Sequence, residues 1–451
     1  MVDFFRNTLF PWLSSWLPSW LAWIVPGEWG AYLTAGLIQC ALIITWVAGG
    51  TLFFIWLERK ISGRIQDRLG PTRVGGQFGW LQGLADGLKL ITKEDLMPDG
   101  ADGLLFKLAP YISFCASFTA YLALPFSDGW VAQPLNVGVF FIIAVVGLEV
   151  FGVILGGYAS ASKWSLFGAM REAAQVVSYE VPLGMCIVVP VLIAGTMDLV
   201  AIGNMQHGWF TNWFIFHDPF TFITFWVYFT CAIASVNRAP FDLAEAESEL
   251  VAGFHSEYSG LRWSFFFMAE YGSMFAVSGI ATILFFGGWN GPIPIADTLG
   301  LHYAQGATDW NFWGSLGNFL GFLNFMGKAC TGVAVMIWIR WTLPRLRIDQ
   351  VMKVCLKFCT PIAAVMFLGA VLWTYQFPYG VIIPTNVMGE VRESWDAIPR
   401  AKATAVSSAG TNDTNVGRPS QADYDGLGRP SYSTRDSHET ESVATTAGGA
   451  K

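Results

Sequence analysis

Long apolar runs separated by short polar connections set the pattern of this chain. A helix needs about 20 residues to cross a bilayer. Runs of that order predict eight spans, near 32–57, 105–126, 136–158, 173–196, 218–237, 263–287, 316–340 and 358–378. Basic residues are distributed unevenly between the connections. The odd-numbered ones carry Arg59, Lys60, Arg64 and Arg68, then Lys163 and Arg171, then Arg238 and Arg262, then Arg340, Arg345 and Arg347, among others. The even-numbered ones, near 127–135, 197–217 and 288–315, carry no Lys or Arg. The asymmetry predicts odd connections on the cytoplasmic side of the inner cell membrane and both termini on the outer side.

The first connection has structure of its own. Leu81, Leu84, Leu88 and Ile91 recur at helical spacing, opposite a stripe of Gln82, Asp86, Lys89 and Lys93. This predicts an amphipathic helix on the cytoplasmic face of the membrane. Gly70-Pro71 and Gly75-Gly76 break the chain before it. Residues 1–30 lack the basic start, clean apolar core and cleavage site of a signal peptide. Trp12, Trp16, Trp20 and Trp23 fall on one helical face beside Pro11 and Pro18, which predicts a kinked interfacial helix, with a disordered leader as the alternative. Residues 381–451 are polar and, from about 403, nearly free of aliphatics, so a disordered tail is expected. The domain layout is therefore an interfacial segment over 1–30, a membrane domain over 31–380 and a tail over 381–451. The fold class is an all-α polytopic membrane protein.

Composition agrees. The chain is 53% apolar and 13% charged, against about 25% charged in soluble domains. Its 48 Gly and 21 Trp suit helix contacts and membrane interfaces. The seven Cys are scattered without a CxxC and read as buried small residues rather than an iron–sulfur or zinc site. No nucleotide loop, flavin motif or internal repeat stands out, and nothing points to nucleic acid.

The candidate chemistry lies in acids close to hydrocarbon. Asn237 to Met274 holds Asp242, Glu245, Glu247, Glu249, Glu257 and Glu270 between two apolar runs. Charge there is costly and usually functional. Glu149, Glu180 and Glu270 lie in the third, fourth and sixth spans, roughly 10–14 Å from their cytoplasmic ends at 1.5 Å per residue. Matched depth favours a polar path opening to the cytoplasmic side, with three unrelated buried acids as the plain alternative. Asp242, Glu245 and Glu249 share a face if their segment is helical. Leu243, Leu250, Val251, Phe254 and Tyr258 make that segment too apolar for a free surface, so it is expected to pack beneath partner proteins. Lys328 in the seventh span is a candidate counter-charge, or a packed or snorkelling lysine.

Five stretches carry a resemblance: ERKISGRIQDRLGPTRVG (58–75), LADGLKLITKE (84–94), REAAQVVSYEVPLG (171–184), RAPFDLAEAESELVAGFHSEYSGLRWSFFFMAEY (238–271) and LPRLRIDQVMK (343–353). Together they resemble the ND1 family, a membrane component of respiratory complex I, the NADH:quinone oxidoreductase, over about residues 32–380. The resemblance implies a subunit of a proton-translocating enzyme, placed between the redox arm and the proton-pumping membrane arm. Quinone would be the substrate, while FMN and iron–sulfur clusters would reside in partner subunits. The implied partners are the hydrophilic quinone-site subunits, small membrane subunits and lipid. By position, Arg59, Arg238 and Arg340 match basic residues near the quinone chamber. Glu149, Tyr179, Glu180, Asp242, Glu245, Glu247, Glu257 and Glu270 match an acidic channel linking quinone reduction to pumping, and Glu249 joins them by its place in the acidic loop. Gly76, Gly83, Leu356 and the pair Arg171 and Glu172 depart from the family pattern, and the last two could form a local ion pair. Two other readings are a homologous subunit of a membrane-bound hydrogenase or formate hydrogenlyase, and a self-sufficient ion transporter.

Overall fold

The computed structural model describes residues 27–128, 130–244, 247–293 and 312–377. Most of the segment expected to lie at the interface before residue 31, the polar tail and Glu245 fall outside them. Among the described residues every regular element is helical, with no strand. In chain order the helices are α1 (Gly27–Ile65), α2 (Gln82–Thr92), α3 (Gly103–Ala123), α4 (Gly138–Ala159), α5 (Lys163–Ala194), α6 (Leu199–Met205), α7 (Pro219–Ser235), α8 (Glu247–Leu250), α9 (Gly260–Phe285), α10 (Phe312–Thr342), α11 (Ile348–Met352) and α12 (Thr360–Gln376). A π-helical stretch, Lys353–Cys359, joins the last two into one continuous run.

Among the described residues, seven helical runs are long and apolar enough to cross a membrane. The remaining expected span, the fifth, is α7, a shorter apolar helix of 17 residues. At 1.5 Å per residue it reaches about 26 Å, a little short of a typical hydrocarbon core. Local chemistry fixes its start. Asp218 accepts from the Thr221 backbone N–H at 2.6 Å and from its hydroxyl at 2.8 Å, and Pro219 occupies the first turn. Asp102 caps α3 in the same way, through the N–H groups of Leu104 and Leu105. Gly195, at φ 69°, ends α5 with its N–H on the Val191 carbonyl.

The bundle is built round α9. In its most apolar stretch 83% of the residues are buried, against 17% for α1. Side-chain donors stitch neighbours to its carbonyls: Ser117 to Ala269 at 2.9 Å, Tyr121 to Gly272 at 2.7 Å and Tyr228 to Val277 at 2.9 Å. Hydrocarbon offers no competing water, so such bonds hold helices at defined register. Small residues let backbones approach. A Cβ on Gly152 of α4 would lie 2.1 Å from the Ser113 Oγ and 2.7 Å from its N.

The amphipathic helix is present as α2. Its Gly83 rests against α1, where a Cβ would meet the Leu52 carbonyl at 3.0 Å. Leu81, Leu84, Leu88 and Ile91 are all exposed in the isolated chain, which leaves the apolar edge for lipid or a partner. The acidic segment differs from expectation. Leu243, Leu250, Phe254 and Tyr258 are buried in this chain's own core, while Val251 points out. Of the cysteines, Cys186, Cys231, Cys355 and Cys359 are buried, whereas Cys40 and Cys115 are exposed.

Gly152→Val drives a methyl group into Ser113, and overpacking of this kind costs about 1–3 kcal/mol. It is expected to lower the thermal unfolding midpoint of detergent-extracted protein. Gly184→Ala, with nothing within 4 Å of the new Cβ, is expected to leave the midpoint unchanged or slightly raised.

Candidate functional site

One carboxylate gathers the charged interior. Glu58, near the end of α1, accepts from Arg238 Nη1 at 3.2 Å and 3.1 Å on its two oxygens. It also accepts from Arg340 Nη1 of α10 at 2.7 Å and from the Tyr271 hydroxyl of α9. Arg238 contacts Glu270 Oε1 through Nε at 2.6 Å, and its guanidinium stands 4.4 Å from the centre of the Tyr271 ring. The Arg238 side chain is only 2% exposed. Two acids and two guanidiniums balance, which permits such burial. Arginine suits the place because its planar fork donates to several acceptors and keeps its charge.

The loop after α7 is zipped to the loop after α10. Leu346 N–H donates to the Pro240 carbonyl at 3.0 Å, and Arg345 pairs with Asp242 at 3.1 Å. Asp242 is buried in irregular backbone, so it shares no helical face with Glu249; among the described residues of this stretch the α-helix covers Glu247–Leu250. Glu249 is exposed and pairs with Arg171 at 2.6 Å. The local pair of Arg171 with Glu172 is therefore replaced. Glu172 is fully buried and accepts from Asn237 at 2.5 Å, while Gln175 donates to the Asn237 side chain at 2.9 Å. Glu257 is half-buried at the far end of the segment, and the Glu247 backbone begins α8.

Two of the three intramembrane acids meet. Glu149 on α4 accepts a hydrogen bond from the Ser273 hydroxyl, and Ser273 lies one turn beyond Glu270 on α9. Glu149, Glu270, Glu172, Asn237 and His255 all line one cavity of about 30 Å³. Such a volume holds a water molecule or two. Glu180 lies next door. It lines a separate groove of about 410 Å³ with Tyr179 and Tyr228, and Val146 and Ser235 line both spaces. Its carboxylate packs on α4, where a Cβ on Gly147 would sit 3.1 Å from Oε1, yet the residue is exposed towards the groove.

Arg238 and Arg340 thus converge, and Arg59 does not join them. Arg59 is largely exposed and pairs with Asp86 of α2 at 2.5 Å. Lys328 does not face the acids either: its Nζ donates to the carbonyls of Phe286, Gly288 and Asn290. Sequence reasoning gave no site role to Glu58 or Asn237 and assigned Glu172 a different partner. The signal for Glu58 was its place one residue before Arg59, since neighbours on a helix point about 100° apart.

Fold and site together define a polytopic helical membrane protein with paired ionisable residues assembled in its interior. Comparison narrows the class. A family model described as NADH dehydrogenase matches residues 38–371. The chain is 42% identical to an NADH-quinone oxidoreductase subunit of Anaeromyxobacter dehalogenans over 354 residues, 78% of this chain and 84% of that protein. It is 44% identical to the corresponding oxidoreductase subunit of Chlorobium luteolum over 346 residues, 76% of this chain and 90% of the relative. Against that of Geobacillus kaustophilus it is 43% identical over 366 residues, 81% of this chain and 100% of the relative. The chain belongs to this NADH dehydrogenase family of oxidoreductase membrane subunits, the ND1 family.

The network and the surface pair predict opposite outcomes for adjacent substitutions. Glu58→Ala leaves Arg238 and Arg340 without their shared acid, and breaking a buried pair costs about 3–5 kcal/mol. It is expected to lower the thermal unfolding midpoint sharply and reduce the yield of extractable protein. Arg59→Ala removes an exposed pair worth under about 1 kcal/mol and is expected to leave both readings close to wild type.

Proposed function

We propose that the chain is the membrane subunit of a proton-translocating NADH:quinone oxidoreductase that admits quinone and passes the effect of its reduction into the membrane arm. The reading rests on family membership together with one geometric observation. The buried cluster of Glu58, Arg238, Glu270 and Arg340 adjoins, through Glu270 itself, the small polar cavity that also takes Glu149.

Quinone is lipid-soluble, and the exposed apolar edge of α2 offers it a route along the membrane face. Reduction of a quinone demands protons and changes the charge nearby. Arg238 and Arg340 are suited to respond, because both lean on the same acid and a competing negative charge would redistribute those contacts. A change at Glu270 is felt by Glu149 through Ser273 and the common cavity. Glu180, Tyr179 and the loop acids Asp242, Glu245, Glu247, Glu249 and Glu257 extend the path towards neighbouring subunits. Electrons reach the quinone from partner subunits carrying FMN and iron–sulfur clusters. The asymmetry of Lys and Arg between the connections supports an acidic segment on the cytoplasmic side of the inner cell membrane and both termini outside.

Glu149→Gln, Glu180→Gln and Glu245→Gln keep size and hydrogen-bonding capacity but remove the proton site. In the assembled enzyme they are expected to lower NADH:quinone reductase activity and coupled proton uptake by roughly tenfold. NADH oxidation by a soluble acceptor reduced upstream should stay unchanged, which controls for assembly. Normal quinone reduction and pumping in all three assembled variants would refute the reading.

A further inference from the structure

A second large space lies away from the acids. A groove of about 490 Å³ runs between α7, α9 and α10, within the range of small-molecule sites. Its walls are mainly aromatic and aliphatic, with Phe225, Trp226 and Phe229 on α7 and Phe286 at the end of α9. Leu323, Gly327, Thr331 and Val335 form a stripe along α10 at four-residue spacing, so an extended chain could follow one helix face. Trp226 and Leu323 are exposed, so the groove opens sideways. A Cβ on Gly327 would have nothing within 4 Å. The groove therefore continues over the bare backbone there.

Lys328 lines this groove. Its ammonium donates to the carbonyls of Phe286 at 2.6 Å, Gly288 at 3.1 Å and Asn290 at 2.5 Å, and stands 4.3 Å from the Trp213 ring centre. These acceptors use all three N–H groups and cap the C-terminal end of α9. They supply dipoles and no formal charge. Among the described residues no carboxylate lies within ion-pair distance of Lys328, in contrast to Arg238, Arg340 and Arg345. A cation beside hydrocarbon without a counter-ion is costly. Asn324, one turn away on α10, adds an exposed amide at the same end of the groove.

We propose that the groove binds an anionic phospholipid from the leaflet next to the 287–293 loop. One acyl chain lies along the α10 stripe. The phosphate sits against the Lys328 charge and the Asn324 amide, and supplies the anion that the described residues lack there. A zwitterionic lipid presents a phosphate too but cancels it with its own ammonium, so an anionic headgroup is preferred.

The test uses the detergent-extracted assembly carrying the full-length chain, transferred to phosphatidylcholine nanodiscs. These contain a small fraction of phosphatidylglycerol with a photoreactive acyl chain, and labelled peptides are mapped by mass spectrometry. Label is expected on 225–229, 278–286 and 323–335, displaced by unlabelled phosphatidylglycerol and poorly by phosphatidylcholine. Gly327→Trp fills the groove without touching Lys328 and is expected to cut labelling by roughly tenfold or more. Lys328→Gln should retain labelling of α10 but lose the preference for the anionic lipid. The proposal is overturned by label spread evenly round the apolar perimeter, or by equal displacement with both lipids. Unchanged labelling of Gly327→Trp also overturns it, as does a disulfide crosslink from Trp226→Cys or Leu323→Cys to a cysteine on a partner protein's helix with no lipid label.

Discussion

The Glu58 carboxylate is the constraint on which the rest of the interior depends. Moving a charge out of water costs several kcal/mol even after relaxation, and only close, well-oriented partners recover it. Glu58 receives two guanidiniums and a tyrosine hydroxyl that come from three separate parts of the chain. Satisfying it fixes α1, α9, α10 and the loop after α7 relative to one another. The second acid, Glu270, brings the cluster to neutrality and extends it along α9. A hydrophobic replacement of the whole cluster could pack as well or better. What the ionic version adds is responsiveness, because its contacts are shared and any new charge nearby changes several of them together.

α9 turns that local balance into something extended. Glu270, Tyr271 and Ser273 occupy nearby positions on one buried helix, yet they reach Arg238, Glu58 and Glu149 respectively. The same helix is pinned by donors from α3 and α7 onto its carbonyls. A rigid helix with fixed polar contacts along its length conveys a shift without unfolding. The Pro240–Leu346 bond ties the loop that carries Arg238 to the loop that follows Arg340, and Asp242 with Arg345 forms a second pair between the same two loops.

Much of the fold was legible because its signal is one-dimensional. Apolar length gives the spans, basic residues give the sidedness expected for them, and helical spacing gives α2. The depths expected for Glu149, Glu180 and Glu270 rest on the same kind of signal, since rise per residue is fixed. Azimuth was not. Glu58 and Arg59 are adjacent in sequence, yet one turns into the core and the other reaches α2. Glu180 opens on a groove beside the cavity that Glu149 and Glu270 line. A span that is apolar all round has no polar face to set its rotation, and α1 and α9 are of that kind. The loop after α7 was illegible for another reason. Its course is set by Asn237 and Glu172, Pro240 and Leu346, and Asp242 and Arg345, partners 65 to more than 100 residues apart in the chain.

The chain handles buried charge in two different ways. Around Glu58 and Asp242 each cation faces acids of the same chain. Lys328 instead takes the carbonyls beyond the end of α9, which orient its ammonium and leave its charge standing. The two arrangements differ in how freely the cation can move. A cation paired internally can exchange partners, so the cluster is able to react to a charge that arrives nearby. A cation held by backbone carbonyls cannot shift without opening the helix end, so it acts as a fixed post. Glu180 belongs to neither class, being packed on Gly147 while its carboxylate borders an open groove. Its environment is completed by whatever fills that groove. An acid so placed is open to any charge or dipole that enters the groove.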